Sequence, residues 1–293
     1  VFEAVAGRGS FSAAADALHV TTGAVSMQIK SLEDYLQVRL FQRNARNVQL
    51  TAEGQSLLPF VRRGLDELEL GFRTVKLGRS SGALVVSLLA SYLQRWLLPR
   101  IGAFHAACPK VDLQFRTSTA IVDFAREDVH VAIRFGRGTW PGVHAEKLLD
   151  EWLVPVCAPA LRERHGPLRD FGSTGDYPLL HSATEPWSFW LSNGVATTVG
   201  EELWPDVGTA FDDSATVLHA AEQGQGLALT RWSLAAASIA SGRLVVPHER
   251  TLPFAFGYYF VCPEAYLSLA KVAKFREWLM AEAARSPKPT ERK

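Results

Sequence analysis

Apolar and polar positions change period several times along the chain. Residues 9–54 open with an Ala-rich stretch through Leu18, preceded by Ser10 and Ser12, either of which can accept from the free amides of a starting helix. His19, Val20, Thr21 and Thr22 break that pattern, and a second helix restarts near Gly23 with Thr21 or Thr22 as cap. Val25, Ile29, Leu32 and Leu36 recur at helical spacing and are expected to pack on the first helix. Arg43, the turn residues 44–47 and the return strand Val48-Gln49-Leu50 follow Leu40 and Phe41 as a basic hairpin. A further helix opens at Thr51. Leu58, Val61, Leu65, Leu68, Phe72 and Val75 then alternate spacings of three and four, a heptad seam suited to pairing two chains. Pro59 is expected to kink or crowd its early turns.

After the polar stretch KLGRSSG the period alternates between strand and helix. Strands are predicted at 83–89, 111–116, 129–135, 152–157, 179–182, 227–230, 244–246 and 258–262. Helices are predicted at 92–107, 121–126, 214–223, 232–240 and 265–284. Such alternation predicts a mostly parallel, covered sheet, and the order fits two lobes joined by two crossovers. The final SPKPTERK reads as disordered.

Helix, turn, helix and hairpin form the geometry that offers one helix to a DNA groove. The face opposite Val25 and Ile29 carries Ser26, Met27 and Lys30. Ser26 and Gln28 can hydrogen-bond, Lys30 can neutralise a phosphate, and Met27 can touch only apolar groups such as a thymine methyl. Arg46 at the hairpin tip suits a narrow minor groove. The net charge of +1 excludes attachment to nucleic acid by bulk charge, so the clustering of Lys30, Arg39, Arg43 and Arg46 matters by position.

The run AVSMQIKSLEDYLQVRLFQRNARNVQLTAEG resembles the winged helix-turn-helix of LysR-type transcriptional regulators, with A-V-S-x-Q-I-K-x-L-E, L-F-x-R and L-T-x-x-G all present. The likeness implies that Ser26, Gln28, Lys30, Arg43 and Arg46 face double-stranded DNA, whereas Met27 departs from the polar residue usual there. VHVAIRFGRGTWPG, LVPVCAPAL, AAEQGQGLAL and GRLVVP extend the resemblance, closest to the subgroup containing the glycine-cleavage activator and the beta-lactamase regulator. The implied fold is multidomain α plus α/β. A winged helix-turn-helix at 1–50, its first helix lacking its front, leads to a linker and dimerisation helix at 51–78 and a hinge at 79–83. An effector domain at 84–286 follows, similar to type 2 periplasmic binding proteins, with lobe I about 84–157 and 252–286 and lobe II about 158–251. The implied assembly is a homodimer or homotetramer on an inverted repeat, with RNA polymerase as a further partner.

In such a fold ligands enter at the carboxyl ends of strands. That selects Ser91, able to receive a carboxylate or phosphate, then Thr117, Ser118 and Thr119, then Arg137, Gly138 and Trp140. In the second lobe it selects His181, Trp187, Asp212, Asp213 and Ser214. A carboxylate or amino-acid-like effector is expected, its anionic group at Ser91 and its amine or hydroxyl at Asp212 or Asp213.

Catalytic signatures are missing: Gly136-Arg137-Gly138 lacks the third glycine of a dinucleotide loop, and no HExxH, GxSxG or Walker pattern occurs. No cofactor or metal site is expected. Cys108, Cys157 and Cys262 read as buried reduced thiols, and with no membrane-length apolar run or export signal the expected location is the cytoplasm. The alternatives are a solute-binding module without a DNA role, which has no use for residues 9–54, and an enzyme with an accessory DNA head.

Overall fold

The computed structural model describes residues 1–43, 48–78, 82–168, 176–191, 208–248 and 251–289. The chain divides into two compact units, Val1–Lys76 and Leu77–Lys293.

In the first unit, α1 (Phe2–Arg8) ends at Gly9, and α2 (Phe11–Leu18) is capped by Ser10, whose hydroxyl accepts from the Ala13 amide at 3.3 Å. α3 (Thr22–Leu36) is capped by Thr21, which accepts from Ala24 at 3.2 Å. β1 (Phe41–Arg43) pairs antiparallel with β2 (Val48–Leu50), and α4 (Ala52–Gly78) follows. The core joins Phe2, Val5, Phe11, Val25, Ile29 and Phe41, with the Phe41 ring 5.4 Å from Phe2 and 5.9 Å from Phe11. Each such side chain contributes on the order of 1.5–3 kcal/mol by leaving water. Leu32 is only partly buried against this core, and Leu36 is exposed, contrary to the expected four-residue seam. With eight residues α2 is about half as long as the 15-residue α3, too short to cover all of that face.

Thr51 ties the wing to α4 by accepting from the Gly54 amide at 3.1 Å and donating to the Arg39 carbonyl at 2.7 Å. A Cβ at Gly54 would sit on the Leu40 carbonyl oxygen, which explains glycine at the end of L-T-A-E-G. The predicted seam of α4 divides. Leu58 and Val61 pack on the first unit's own core, while Leu65, Leu68, Phe72 and Val75 are exposed. The helix runs past Pro59 without interruption.

The second unit is built on one eight-stranded sheet. β3 (Leu84–Leu88) leads into a helical segment that is α in α5 (Ala90–Tyr92), π over Leu93–Leu97, 3-10 over Leu98–Arg100 and α again in α6 (Ile101–Ala107). Pro99, which has no amide hydrogen, accounts for the irregular middle of what the sequence presents as one helix. β4 (Leu113–Thr117), β5 (Val131–Gly136), β6 (His144–Val156) and α7 (Pro159–His165) come next. Then follow β7 (Leu179–Ser182), α8 (Trp187–Leu191), β8 (Thr209–Phe211), α9 (Ser214–Glu222), β9 (Leu227–Arg231) and α10 (Trp232–Ala240). β10 (Leu252–Cys262) and, after a 3-10 turn at Glu264–Ser268, α11 (Ala270–Ala284) complete the unit.

The strand order is β4-β3-β5-β10-β6-β9-β7-β8. The flanking triplets β4-β3-β5 and β9-β7-β8 are parallel, but β10 and β6 run antiparallel to each other and to their neighbours. The sheet is therefore mixed rather than mostly parallel, because β6 and β10 are longer than their apolar cores suggest and cross between the two halves. Residues 121–126 are not helical: Asp123 instead accepts from Ala125, and the Ala120 carbonyl accepts from Arg134. Residues 244–246 contribute only a bridge between Val245 and Cys157. The segment read as disordered is placed through Pro289, which is buried; Thr290–Lys293 lie outside the described residues.

Candidate nucleic-acid interface and effector cleft

On α3 the core residues Val25 and Ile29 alternate with an outer face on which Met27, Gln28 and Lys30 are exposed and Ser26 is half-buried. Ser26, Met27, Lys30 and Arg39 border one open groove of about 510 Å³. The free amides at the start of α3 and the Lys30 ammonium make this end electropositive. Arg43 ends β1 opposite Val48, and Arg46 lies outside the described residues.

Glu33, on a later turn of α3, is a buried carboxylate. It accepts from the Leu40 amide at 2.8 Å, the Phe41 amide at 3.2 Å and Arg39 at 3.1 Å. Burial opposes its ionisation, but the two amides and Arg39 outweigh that and hold its pKa below the ordinary carboxylate value. Glu33 therefore pins the wing to α3.

In the second unit, a cavity of about 260 Å³ is lined by Ser91, Thr117, Ser118 and Thr119 from one half of the sheet and Asp212, Asp213 and Ser214 from the other. Leu89, the residue before α5, offers no side-chain acceptor to its helix end, whereas Asp213 caps α9 by accepting from the Thr216 amide at 3.0 Å. The Ser91 side chain is almost wholly enclosed, and Asp212 is exposed. The cavity thus sets an uncapped helix end against a carboxylate-bearing one.

Thr184 and Arg231 also line the cavity, and the sequence reading missed both. Arg231 Nε lies 2.5 Å from Glu185 Oε1, and its two terminal nitrogens donate to Tyr258 Oη at 2.6 Å and Ser214 Oγ at 2.8 Å. Its guanidinium stacks 4.4 Å from the centre of Phe135. Glu185 Oε2 accepts from Ser182 at 2.6 Å, Thr184 at 2.8 Å and Ser214 at 2.9 Å. Burial works against the charge on Arg231, but Glu185, Tyr258 and Glu151 raise its pKa above the ordinary value. The guanidinium is thus committed to the wall rather than offered to an anion. Glu151, pushed up to about 7 by burial against the pull of Ser233 and Arg231, accepts from the Ser233 amide at 3.2 Å and from its hydroxyl.

Five expected ligand residues do not border this cavity. Trp140 packs on Tyr259, 5.4 Å between ring centres, in a small apolar cluster. Gly138 has φ +91 and a Tyr259 ring atom where a Cβ would stand, so it serves the turn. Arg137 stacks over Phe256 at 5.1 Å. His181 is buried in β7, and Trp187 belongs to the second half's core with its indole donating to the Leu180 carbonyl at 2.9 Å.

Residues 1–55 match the family described as bacterial regulatory helix-turn-helix protein, lysR family, and residues 77–284 match the LysR substrate binding domain. The chain belongs to the LysR family of transcriptional regulators. It is 39% identical over 285 residues to the glycine cleavage system transcriptional activator of Escherichia coli K12, covering 97% of this chain and 92% of that protein. It is 33% identical over 285 residues to the transcriptional activator AmpR of Rhodobacter capsulatus, covering 97% and 96%. Among solved structures, the AmpR effector domain of Pseudomonas aeruginosa aligns with a TM-score of 0.57 at 30% identity, covering 69% of this chain and 96% of that one. The full-length regulator CrgA of Neisseria meningitidis shares the fold, with a TM-score of 0.53 at 23% identity over 97% of each chain.

This LysR-type regulator therefore pairs a DNA-binding unit with a two-lobed effector-binding unit, and its relatives are transcription factors rather than enzymes. Among the described residues no cluster of His, Cys, Asp or Glu could hold a metal ion, and no helix is long and apolar enough to cross a membrane. Cys157 and Cys262 are buried, and burial pushes their thiols up to about 11 and about 12; Cys108 is only half-buried, short of the full burial expected.

Proposed function

We propose that this regulator works in the cytoplasm and reads promoter DNA with Ser26, Met27, Gln28, Lys30, Arg43 and Arg46. It self-associates through the exposed seam of α4 into dimers and tetramers, and meets RNA polymerase at its promoter. Its activity responds to a small amino-acid-like effector held in the cavity of the second unit. The observation that carries the effector reading is the meeting of Ser91, Thr117–Thr119 and Asp212–Ser214 on one cavity of about 260 Å³. That volume is below the roughly 300–1,000 Å³ of pockets for drug-sized ligands, which favours a metabolite of a few heavy atoms. The α-carboxylate takes the Ser91 hydroxyl and the uncapped amides of α5, and the ammonium takes Asp212.

Calorimetry of the full chain with the twenty L-amino acids and the matching α-hydroxy acids tests this. At least one amino acid is expected to bind. Asp212→Asn should weaken it by about ten- to a hundredfold, as for loss of a charge-assisted hydrogen bond, while sparing the hydroxy acid. Ser91→Ala should weaken both. Heat from none of the amino acids, or unchanged binding in both variants, would overturn the assignment.

A further inference from the structure

Three consecutive residues at the junction of β9 and α10 reach three different parts of the effector-binding unit. Arg231 borders the cavity and bonds to Ser214 beside it and to Tyr258 on the crossing strand β10. Ser233 holds Glu151 on the other crossing strand, β6. Trp232, between them, turns outward, and its indole N–H donates to the Pro287 carbonyl at 2.7 Å. Pro287 lies beyond α11, in a segment that also meets the opposite half of the fold, where Trp96 Nε1 donates to Ser286 Oγ at 3.0 Å. Trp96 is held by Arg100, which stacks on it at 4.5 Å and donates to its carbonyl at 2.7 Å.

Ser286 and Pro287 therefore join the π-helical turn of the first half to the start of α10 in the second. Ser286 and Pro287 border a cavity of about 110 Å³ there, together with Trp96, Arg100, Ser233 and Ala237. That volume holds about three or four waters. A parallel tie crosses the same boundary, for Arg95 donates to Glu222 at 2.7 Å and to the Ala215 carbonyl at 3.1 Å.

We infer that Ser286–Pro289 is a strap across the boundary between the two halves, coupled to the effector cavity through Arg231, Trp232 and Ser233, so that strap release and cavity opening are linked. This rests on the cavity being the effector site. Backbone continuity supplies the coupling: a ligand that shifts Ser214 shifts the Arg231 bonded to it, and with it Trp232, next in the chain, and its hydrogen bond to Pro287. By reciprocity, releasing the strap shifts the spacing of the cavity walls with no ligand present.

Hydrogen exchange on the ligand-free full chain tests the strap separately from any effector. Trp232→Phe keeps an aromatic side chain, smaller than the indole, and removes the N–H donor; a chain ended after Arg285 removes the strap itself. In both, amide exchange at Thr117–Ala120 and Ser214–Thr216 is expected to rise by about three- to tenfold, the loss of one hydrogen bond's stabilisation, with residues 11–36 unchanged as an internal control. The two changes combined should add little beyond either alone. Faster exchange confined to the first turn of α10, or additive effects, would overturn the coupling. If the shortened chain fails to fold, Trp232→Phe decides alone. Absence of amino-acid binding in the calorimetry leaves this readout intact and removes only the ligand's identity.

Discussion

Glu33 makes its case at the scale of a single side chain. It accepts from the Leu40 and Phe41 amides where the wing begins, and a third bond comes from Arg39, whose own side chain is 80% exposed. Exposed partners contribute little, whereas buried bonds to a charged acceptor contribute more. Glu33→Gln is expected to destabilise the first unit by about 1–3 kcal/mol and Arg39→Ala by less than about 0.5 kcal/mol, measured by urea unfolding at neutral pH. Because the folded pKa of Glu33 lies below its ordinary 4.5, its contribution is complete above 4.5 and disappears as pH falls through the lower folded value. The gap between wild type and Glu33→Gln should close over that acid window. A gap persisting below it would show that packing, not ionisation, supplies the difference. None of this was visible in the sequence, where an acid on a helix reads as a solvated face until the wing folds back over it.

At the scale of elements, regular periodicity was legible and its partner was not. Ser10 and Thr21 cap α2 and α3, β7 and α10 have the bounds read from sequence, and α9 ends within a residue of them. The spacing of Leu58 and Val61 is indistinguishable from that of Leu65 to Val75, yet the first pair packs on its own unit and the rest face outward. Spacing reports a helix face and leaves open what covers it. The short α7, α8 and β8 escaped because seven, five and three residues give too little repeat to read, and 121–126 misled because Ile121, Val122 and Phe124 imitate a helix while only Phe124 is buried. Phe72, 75% exposed, separates the two roles of α4. Phe72→Asp should weaken self-association by tenfold or more on the general cost of a charge in a heptad seam, measured by sedimentation, and leave the first unit folded. Val61→Asp should instead unfold that unit. Unchanged association in Phe72→Asp would move the contact elsewhere.

For the molecule as a whole, strand ends pointed to seven of the residues that border the cavity and also to five that do not, and the wall behind them was not legible. Ser91, Thr117–Thr119 and Asp212–Ser214 follow from where strands stop, but Arg231 gained its roles from Glu185 and Ser214, which follow the neighbouring parallel strands β7 and β8, and from Tyr258 on the crossing strand β10, all distant in sequence. The same distinction bears on DNA binding. A regulator that engages two half-sites presents Lys30 twice, so removing it deletes two phosphate contacts at once. Each contact contributes about 0.9 to the dependence of log affinity on log salt, and Lys30→Ala should flatten that slope by about 1.8 on every duplex tested. Met27, 67% exposed and apolar, should do the reverse: Met27→Ala leaves the slope alone and changes the ranking among operators, most at a thymine. Anisotropy titrations of both variants over a salt series separate the roles. A slope reduced by only half that amount would mean one head engaged, and an unchanged slope would remove Lys30 from the phosphate backbone.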